Sequence, residues 1–125
     1  MKINNPSPAP AISNGVQVTR ALTDVSGAVA TTGIGFKPTR LDIAGNVAST
    51  TIRCIGYVDS NLAVASIWDD ALTGHDSNAY LYFSLGTGDF QLCNTVTFDN
   101  DGFTLTWAKT GNPTGTAKLN IIASK

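Results

Sequence analysis

The sequence contains no glutamate: all nine of its acidic residues are aspartate. Glutamate suits helix interiors, whereas aspartate competes with the helical backbone for hydrogen bonds and collects in turns. Charge of either sign is scarce. Charged residues make up 14% of the chain, against about 25% in an average globular protein. The positive ones (Lys2, Arg20, Lys37, Arg40, Arg53, Lys109, Lys118 and Lys125) are dispersed, which excludes the concentrated basic footprint of a nucleic-acid binder. No apolar run approaches the ~18 residues of a membrane-spanning helix, so no membrane insertion is expected. The opening Met1-Lys2-Ile3-Asn4-Asn5-Pro6 has no apolar stretch behind its single basic residue. A secretory leader is therefore not expected, and synthesis in a cytoplasm is.

Nucleophilic and metal chemistry is poorly provided for. There are two cysteines, Cys54 and Cys93, and both fall within strand patterns. They read as reduced core thiols, with a disulfide as the alternative. His75 is the sole histidine and lies near Asp69, Asp70 and Asp76. A cation site or acid–base pair could draw on this loop, but its spacing matches no defined ligand set, and a solvated turn is the plainer reading. No Gly-Xaa-Ser-Xaa-Gly elbow is present. The aspartates fall in turns rather than in facing pairs on strands, so a glycosidase is unsupported. Asp99-Asn100-Asp101-Gly102 has its glycine too early for a calcium loop and lacks the distal acid, so it reads as a turn. Gly33-Ile34-Gly35 lacks the third glycine and the following helix of a phosphate loop. No enzyme activity, cofactor or metal is expected. Trp68, Tyr80 and Tyr82 flank the 69–79 loop, and a sugar-stacking platform is the functional alternative to core or interface packing there.

What the chain does have is alternation. Phe103, Leu105 and Trp107 alternate with Thr104 and Thr106, so the large side chains share one face of a strand. Val96 and Phe98 lie across the Asp99–Gly102 turn, which makes a hairpin with one apolar face. In chain order the pattern gives strands at Val16–Leu22, Ala28–Thr31, Arg40–Ala44, Thr50–Val58, Leu62–Trp68, Tyr80–Leu85 and Phe90–Cys93, then the hairpin and Leu119–Ala123. The 69–79 segment is the longest polar connection. About eight strands separated by turns every 8–12 residues predict an all-β antiparallel sandwich of jelly-roll type. Phe103, Leu105, Trp107, Leu119 and Ile121 are its expected core. The Thr50–Val58 strand is apolar on both faces, which predicts cover on both sides.

Residues 1–14 differ from the rest. Pro6, Pro8 and Pro10 are each separated by one small residue, so this stretch is neither helix nor central strand. It reads as an extended arm preceding a domain at 15–125, with Ile3, Asn4, Asn5, Pro6, Pro8 and Pro10 as contact residues for a neighbouring subunit or a scaffold.

Three segments carry a resemblance. Asp99-Asn100-Asp101-Gly102-Phe103-Thr104-Leu105-Thr106-Trp107 with Thr110–Ala117 and Lys118–Ala123 resembles the C-terminal end of small β-sandwich virion proteins of tailed bacteriophages. Thr32-Gly33-Ile34-Gly35-Phe36-Lys37-Pro38-Thr39 is similar to a strand entry of those proteins, and Arg53-Cys54-Ile55-Gly56-Tyr57 with Ser66-Ile67-Trp68-Asp69-Asp70 to their middle. The resemblance spans about residues 31–123. It implies a capsid decoration, or cement, protein, a head fibre or a tail-fibre tip. Such a protein is commonly a homotrimer, is made in the host cytoplasm and resides in the virion, with the major capsid protein or another virion protein as partner. The Asp101–Trp107 ending also resembles H-type lectin domains, which implies a receptor-binding tip with a cell-surface glycan as ligand. Apart from the resemblance, Trp68, Asp69, Asp70, His75, Asp76 and Tyr80 make the 69–79 region a candidate ligand loop.

Overall fold

In the computed structural model, residues 12–59, 64–69, 74–77, 79–86 and 88–125 are described, with 64–69 and 74–77 as backbone only. Ten strands follow in order: β1 (Ser13–Ala21), β2 (Gly27–Thr31), β3 (Arg40–Val47), β4 (Arg53–Asp59), β5 (Val64–Asp69), β6 (Gly74–Ser77), β7 (Leu81–Gly86), β8 (Asp89–Asp99), β9 (Gly102–Thr110) and β10 (Thr116–Ser124). No helix occurs among the described residues. The strands make two antiparallel sheets, a six-stranded one ordered β1-β10-β3-β4-β5-β6 and a four-stranded one ordered β2-β9-β8-β7.

Alternation explains how the core is assembled. On the six-stranded sheet the odd positions of β3 and β10 (Leu41, Ile43, Leu119, Ile121) and the even positions of β4 (Cys54, Val58) are buried. The four-stranded sheet buries Phe83, Cys93, Val96, Phe103, Leu105 and Trp107 in the same core. The five expected core residues are all there. Phe83 and Trp107 stack with ring centroids 6.5 Å apart. The pairing is nested across the sheets: β1 pairs with β10, and the next strand inward, β2, pairs with β9.

The expected hairpin is β8–β9, with Phe98 opposite Phe103 and Asp99 opposite Gly102. Its glycine is needed for a reason the turn pattern does not reveal. Gly102 is almost fully extended, and a Cβ there would run into the carbonyl oxygen of Thr31.

Three further features depart from the sequence reading. The Phe90–Cys93 and Thr95–Phe98 segments are one strand, β8, whose register shifts between Cys93 and Thr95. Asn94 is the extra residue of that bulge. The 69–79 connection is interrupted by β6, which pairs with β5 through Trp68↔His75 and Ile67↔Asp76. Gly74, His75, Asp76 and Ser77 have low intrinsic strand preference, and the neighbouring strand rather than propensity places them in the sheet. β1 begins at Ser13, inside the stretch assigned to the arm. There the Lys125 amide donates to the Ile12 carbonyl at 2.9 Å. Residues 1–11, with Ile3, Asn4, Asn5, Pro6, Pro8 and Pro10, and residue Leu62 lie outside the described residues.

Candidate interaction face

Every strand that turns one set of side chains into the core turns the other set outward. On the six-stranded sheet the outward set forms four rows across β1, β10, β3 and β4, and the two middle rows carry the apolar groups. Gly15, Ile122, Asp42 and Tyr57 stand side by side across β1, β10, β3 and β4, and Gln17, Asn120, Ala44 and Ile55 form the next row. Ile122 and Ile55 are 52% and 63% exposed. Together with Ala44 they make an apolar strip across the middle of the sheet, lying in an open groove. The strand expected to be covered on both faces is thus β4: Cys54, Gly56 and Val58 are buried, while Ile55 is open.

The end of this face near Arg40 is polar and internally matched. Arg40 donates from Nε and Nη2 to the two carboxylate oxygens of Asp42 at 2.9 and 3.0 Å. Its guanidinium lies 4.5 Å from the centre of the Tyr57 ring. The Tyr57 hydroxyl donates to Asp59 at 3.0 Å. The bond to Asp42 raises the Arg40 pKa, and the bond to Asp59 raises that of the Tyr57 phenol, so both keep their protons. The groups hold one another at fixed positions beside the apolar strip.

Two polar clusters elsewhere are structural. Arg20 points into the sandwich, where Nε donates to Gln91 Oε1 at 2.6 Å and Nη2 to the Val25 carbonyl at 2.6 Å. Its guanidinium lies 5.5 Å from the Trp107 ring centre. Gln91 Nε2 donates in turn to the carbonyls of Leu22 and Asp24 at 3.0 and 3.3 Å. The Gly33-Ile34-Gly35 loop does hold an anion, and that anion belongs to the protein. Gly33 and Gly35 donate their amides to Asp101 Oδ2 and Oδ1 at 3.0 and 2.8 Å, and Ile34 donates to the Asp101 carbonyl at 3.1 Å. Both glycines have left-handed φ, 83° and 94°, which aims successive amides at one carboxylate.

The ligand loop read from the sequence is brought together only in part. Trp68 and His75 are opposite one another on β5 and β6, Asp76 is opposite Ile67, and Asp69 is opposite Gly74. Asp70 lies outside the described residues. Tyr80 belongs to the buried core rather than to a platform. Tyr82, half-buried, stacks on Phe90 at 5.0 Å. Asp99 accepts from Thr104 Oγ1 at 2.6 Å, so both turn aspartates are engaged within the hairpin region. Among the described residues no three His, Cys or Asp side chains converge as a metal site. Cys54 and Cys93 are buried and not joined to each other. Burial pushes the Cys93 thiol up to about 12, against the opposing pull of hydrogen bonds involving the backbone of Thr95 and Thr106. Such a thiol is no nucleophile.

The sequence reading missed Ile122, Ala44, Arg40 and Asp42 as surface residues of interest. The Ile121-Ile122 pair carried the signal, because two successive isoleucines on one strand cannot both face the core. No family model, curated protein or solved structure matches the chain. No helix among the described residues is long and apolar enough to cross a membrane.

Proposed function

We propose that the protein is a non-enzymatic structural component of the virion of a tailed bacteriophage: a capsid decoration protein, made in the host cytoplasm, that binds the head shell as a homotrimer. One observation carries this reading. The six-stranded sheet presents Ile55, Ala44 and Ile122 as an uncovered apolar strip on a rigid scaffold, beside charges already matched within the chain. Burying such a strip gains about 25 cal/mol per Å² and desolvates few unpaired groups. The nested β1/β10 and β2/β9 pairs support a jelly-roll type of sandwich. The proline-rich arm would supply contacts to the shell or to the neighbouring subunit. Three arms on one trimer would engage as a unit, because binding of the first raises the effective concentration of the others.

A receptor-binding tip or lectin-like module is the second reading. A shallow depression lined by Pro38, Thr95, Thr97 and Phe98, with Lys37 and Lys125 beside it, sets an aromatic ring among hydroxyls. That is the composition of a sugar subsite.

Electron microscopy of particles carrying tagged protein separates the two. Label over the head shell is the expected result, whereas label at the tail end together with competable signal on a glycan array would replace decoration with adhesion. Particles without label would remove the virion reading.

A further inference from the structure

β1 is the edge of the six-stranded sheet, and its hydrogen-bonding directions follow from two bonds at its ends. Lys125 donates to the Ile12 carbonyl, and Leu22 donates to the Gly115 carbonyl. In an antiparallel pair, residues that bond directly alternate with residues whose amide and carbonyl point the opposite way. The even residues of β1 therefore face β10. Ser13, Gly15, Gln17 and Thr19 present their amides and carbonyls to an edge on which no described strand lies, whereas the Ala21 carbonyl is taken by the Asp24 amide at 3.0 Å. This open edge runs from Ser13 to Thr19. It carries no proline, lysine or bulge, the usual devices that keep an open edge from pairing.

The same parity runs back into the arm. Pro6, Pro8 and Pro10 are all even, whereas Asn5, Ser7, Ala9 and Ala11 are all odd. Proline has no amide to donate, so an extended 5–11 segment has a full row of donors on one edge and a blocked row on the other. From residue 5 through residue 21, no odd position is proline or charged.

We propose that residues 5–11 of one copy add as a strand to the open edge of β1 in a second copy. Asn5, Ser7, Ala9 and Ala11 make the ladder, and Pro6, Pro8 and Pro10 terminate the enlarged sheet. The segment reaches ~23 Å at 3.3 Å per residue, enough to cover most of β1. It leaves the domain at the end of β1 itself, too close to turn back onto its own strand, so the acceptor is another copy. The prolines also limit the conformational freedom lost on ordering. The proposal rests on the reading that the arm serves assembly and specifies how, but it does not depend on the virion assignment.

The test compares three full-length chains by amide hydrogen exchange and by mass in solution: wild type, Ser7→Pro/Ala9→Pro, and Pro6→Ala/Pro8→Ala/Pro10→Ala. In the wild-type oligomer the Gly15, Gln17 and Thr19 amides should exchange at least ~10-fold more slowly than in the odd-position proline variant, which should be monomeric. The even-position alanine variant should keep the protection and grow into larger assemblies, because its second edge is no longer blocked. Equal exchange of these three amides in wild type and the Ser7→Pro/Ala9→Pro variant would overturn the proposal. So would protection that persists in a wild-type monomer. Unlabelled phage particles would remove the virion reading and leave these outcomes unchanged.

Discussion

Arg20 on β1 and Gln91 on β8 meet inside the sandwich, with Nε 2.6 Å from Oε1, and tie the two sheets together through a side-chain hydrogen bond. Gln91 completes the link by donating to the carbonyls of Leu22 and Asp24. Replacing it by leucine leaves a buried guanidinium nitrogen and two carbonyls short of partners. Gln91→Leu should cost about 2–4 kcal/mol, read as a lowered midpoint in urea at unchanged slope. A loss below about 0.5 kcal/mol would mean that water replaces the amide without penalty.

Asp101 and the Gly33–Gly35 loop make a reciprocal prediction. Asp101→Ala removes the acceptor for two amides and should cost about 1–2 kcal/mol, reduced by the exposure of the site. Gly35→Ala has space for its methyl group but must hold a left-handed φ, at a cost of about 1–2 kcal/mol. The two losses share one loop and should fall short of additive in the double variant, as measured by a thermodynamic cycle.

Cys93 predicts a specific alkaline instability. Its thiol ionises near its ordinary value of 9.0 in the unfolded chain but only at about 12 in the fold, where burial opposes the thiolate. The stabilisation is therefore complete below pH 9. As pH rises from 9 to 12 the unfolded state sheds a proton that the folded state keeps, and stability falls by about 1.4 kcal/mol per unit. Cys93→Ala should be less stable at neutral pH yet show a shallower decline over this window. Parallel curves for the two proteins would rule out the thiol as the cause.

Trp107 packs on Phe83 and lies against the Arg20 guanidinium. Trp107→Ala should cost about 3–5 kcal/mol and leave little folded protein at 37 °C, whereas Trp107→Phe should recover most of that loss in thermal unfolding. Substantial helix in the far-ultraviolet circular dichroism of wild type would contradict the fold.

Ile55 and Ile122 separate stability from assembly. Both are mostly exposed, so Ile55→Lys and Ile122→Lys, the latter opposite Asp42, should change unfolding free energy by no more than about 1 kcal/mol. If the strip is an interface, the same changes should abolish binding to particles in co-sedimentation. Unimpaired binding would move the contact to another face.

Side-chain period made much of the fold legible. Phe103, Leu105, Trp107, Leu119 and Ile121 were identifiable as core because large apolar residues alternate with Thr, Lys and Asn on strands too short for any helical pattern. The interaction face was half legible: Ile55 stood out on a strand apolar on both sides, but its neighbours Ala44 and Ile122 are set by a register that joins the chain's distant segments. Arg20 reads as a surface residue until Gln91, remote in sequence, is placed beside it. Gly33-Ile34-Gly35 looks like half of a phosphate loop because its carboxylate partner comes from the β8–β9 turn. β6 was hidden because Gly74, His75, Asp76 and Ser77 are turn formers by composition and become strand only against β5.

β10 lies between β1 and β3, yet it follows both in the chain by many tens of residues. During synthesis, then, β1 has no partner among the described strands until β10 has been made. β3 can join β4 early, and β8 can close on β9, but β1 must wait. Completion of the larger sheet is deferred until β10 has been made, and pairing across such a long loop is slow. β1 spends that interval as an unpaired strand beside other nascent copies, and it has no proline of its own to block pairing; only polar positions such as Asn14, Gln17 and Thr19 temper its aggregation there.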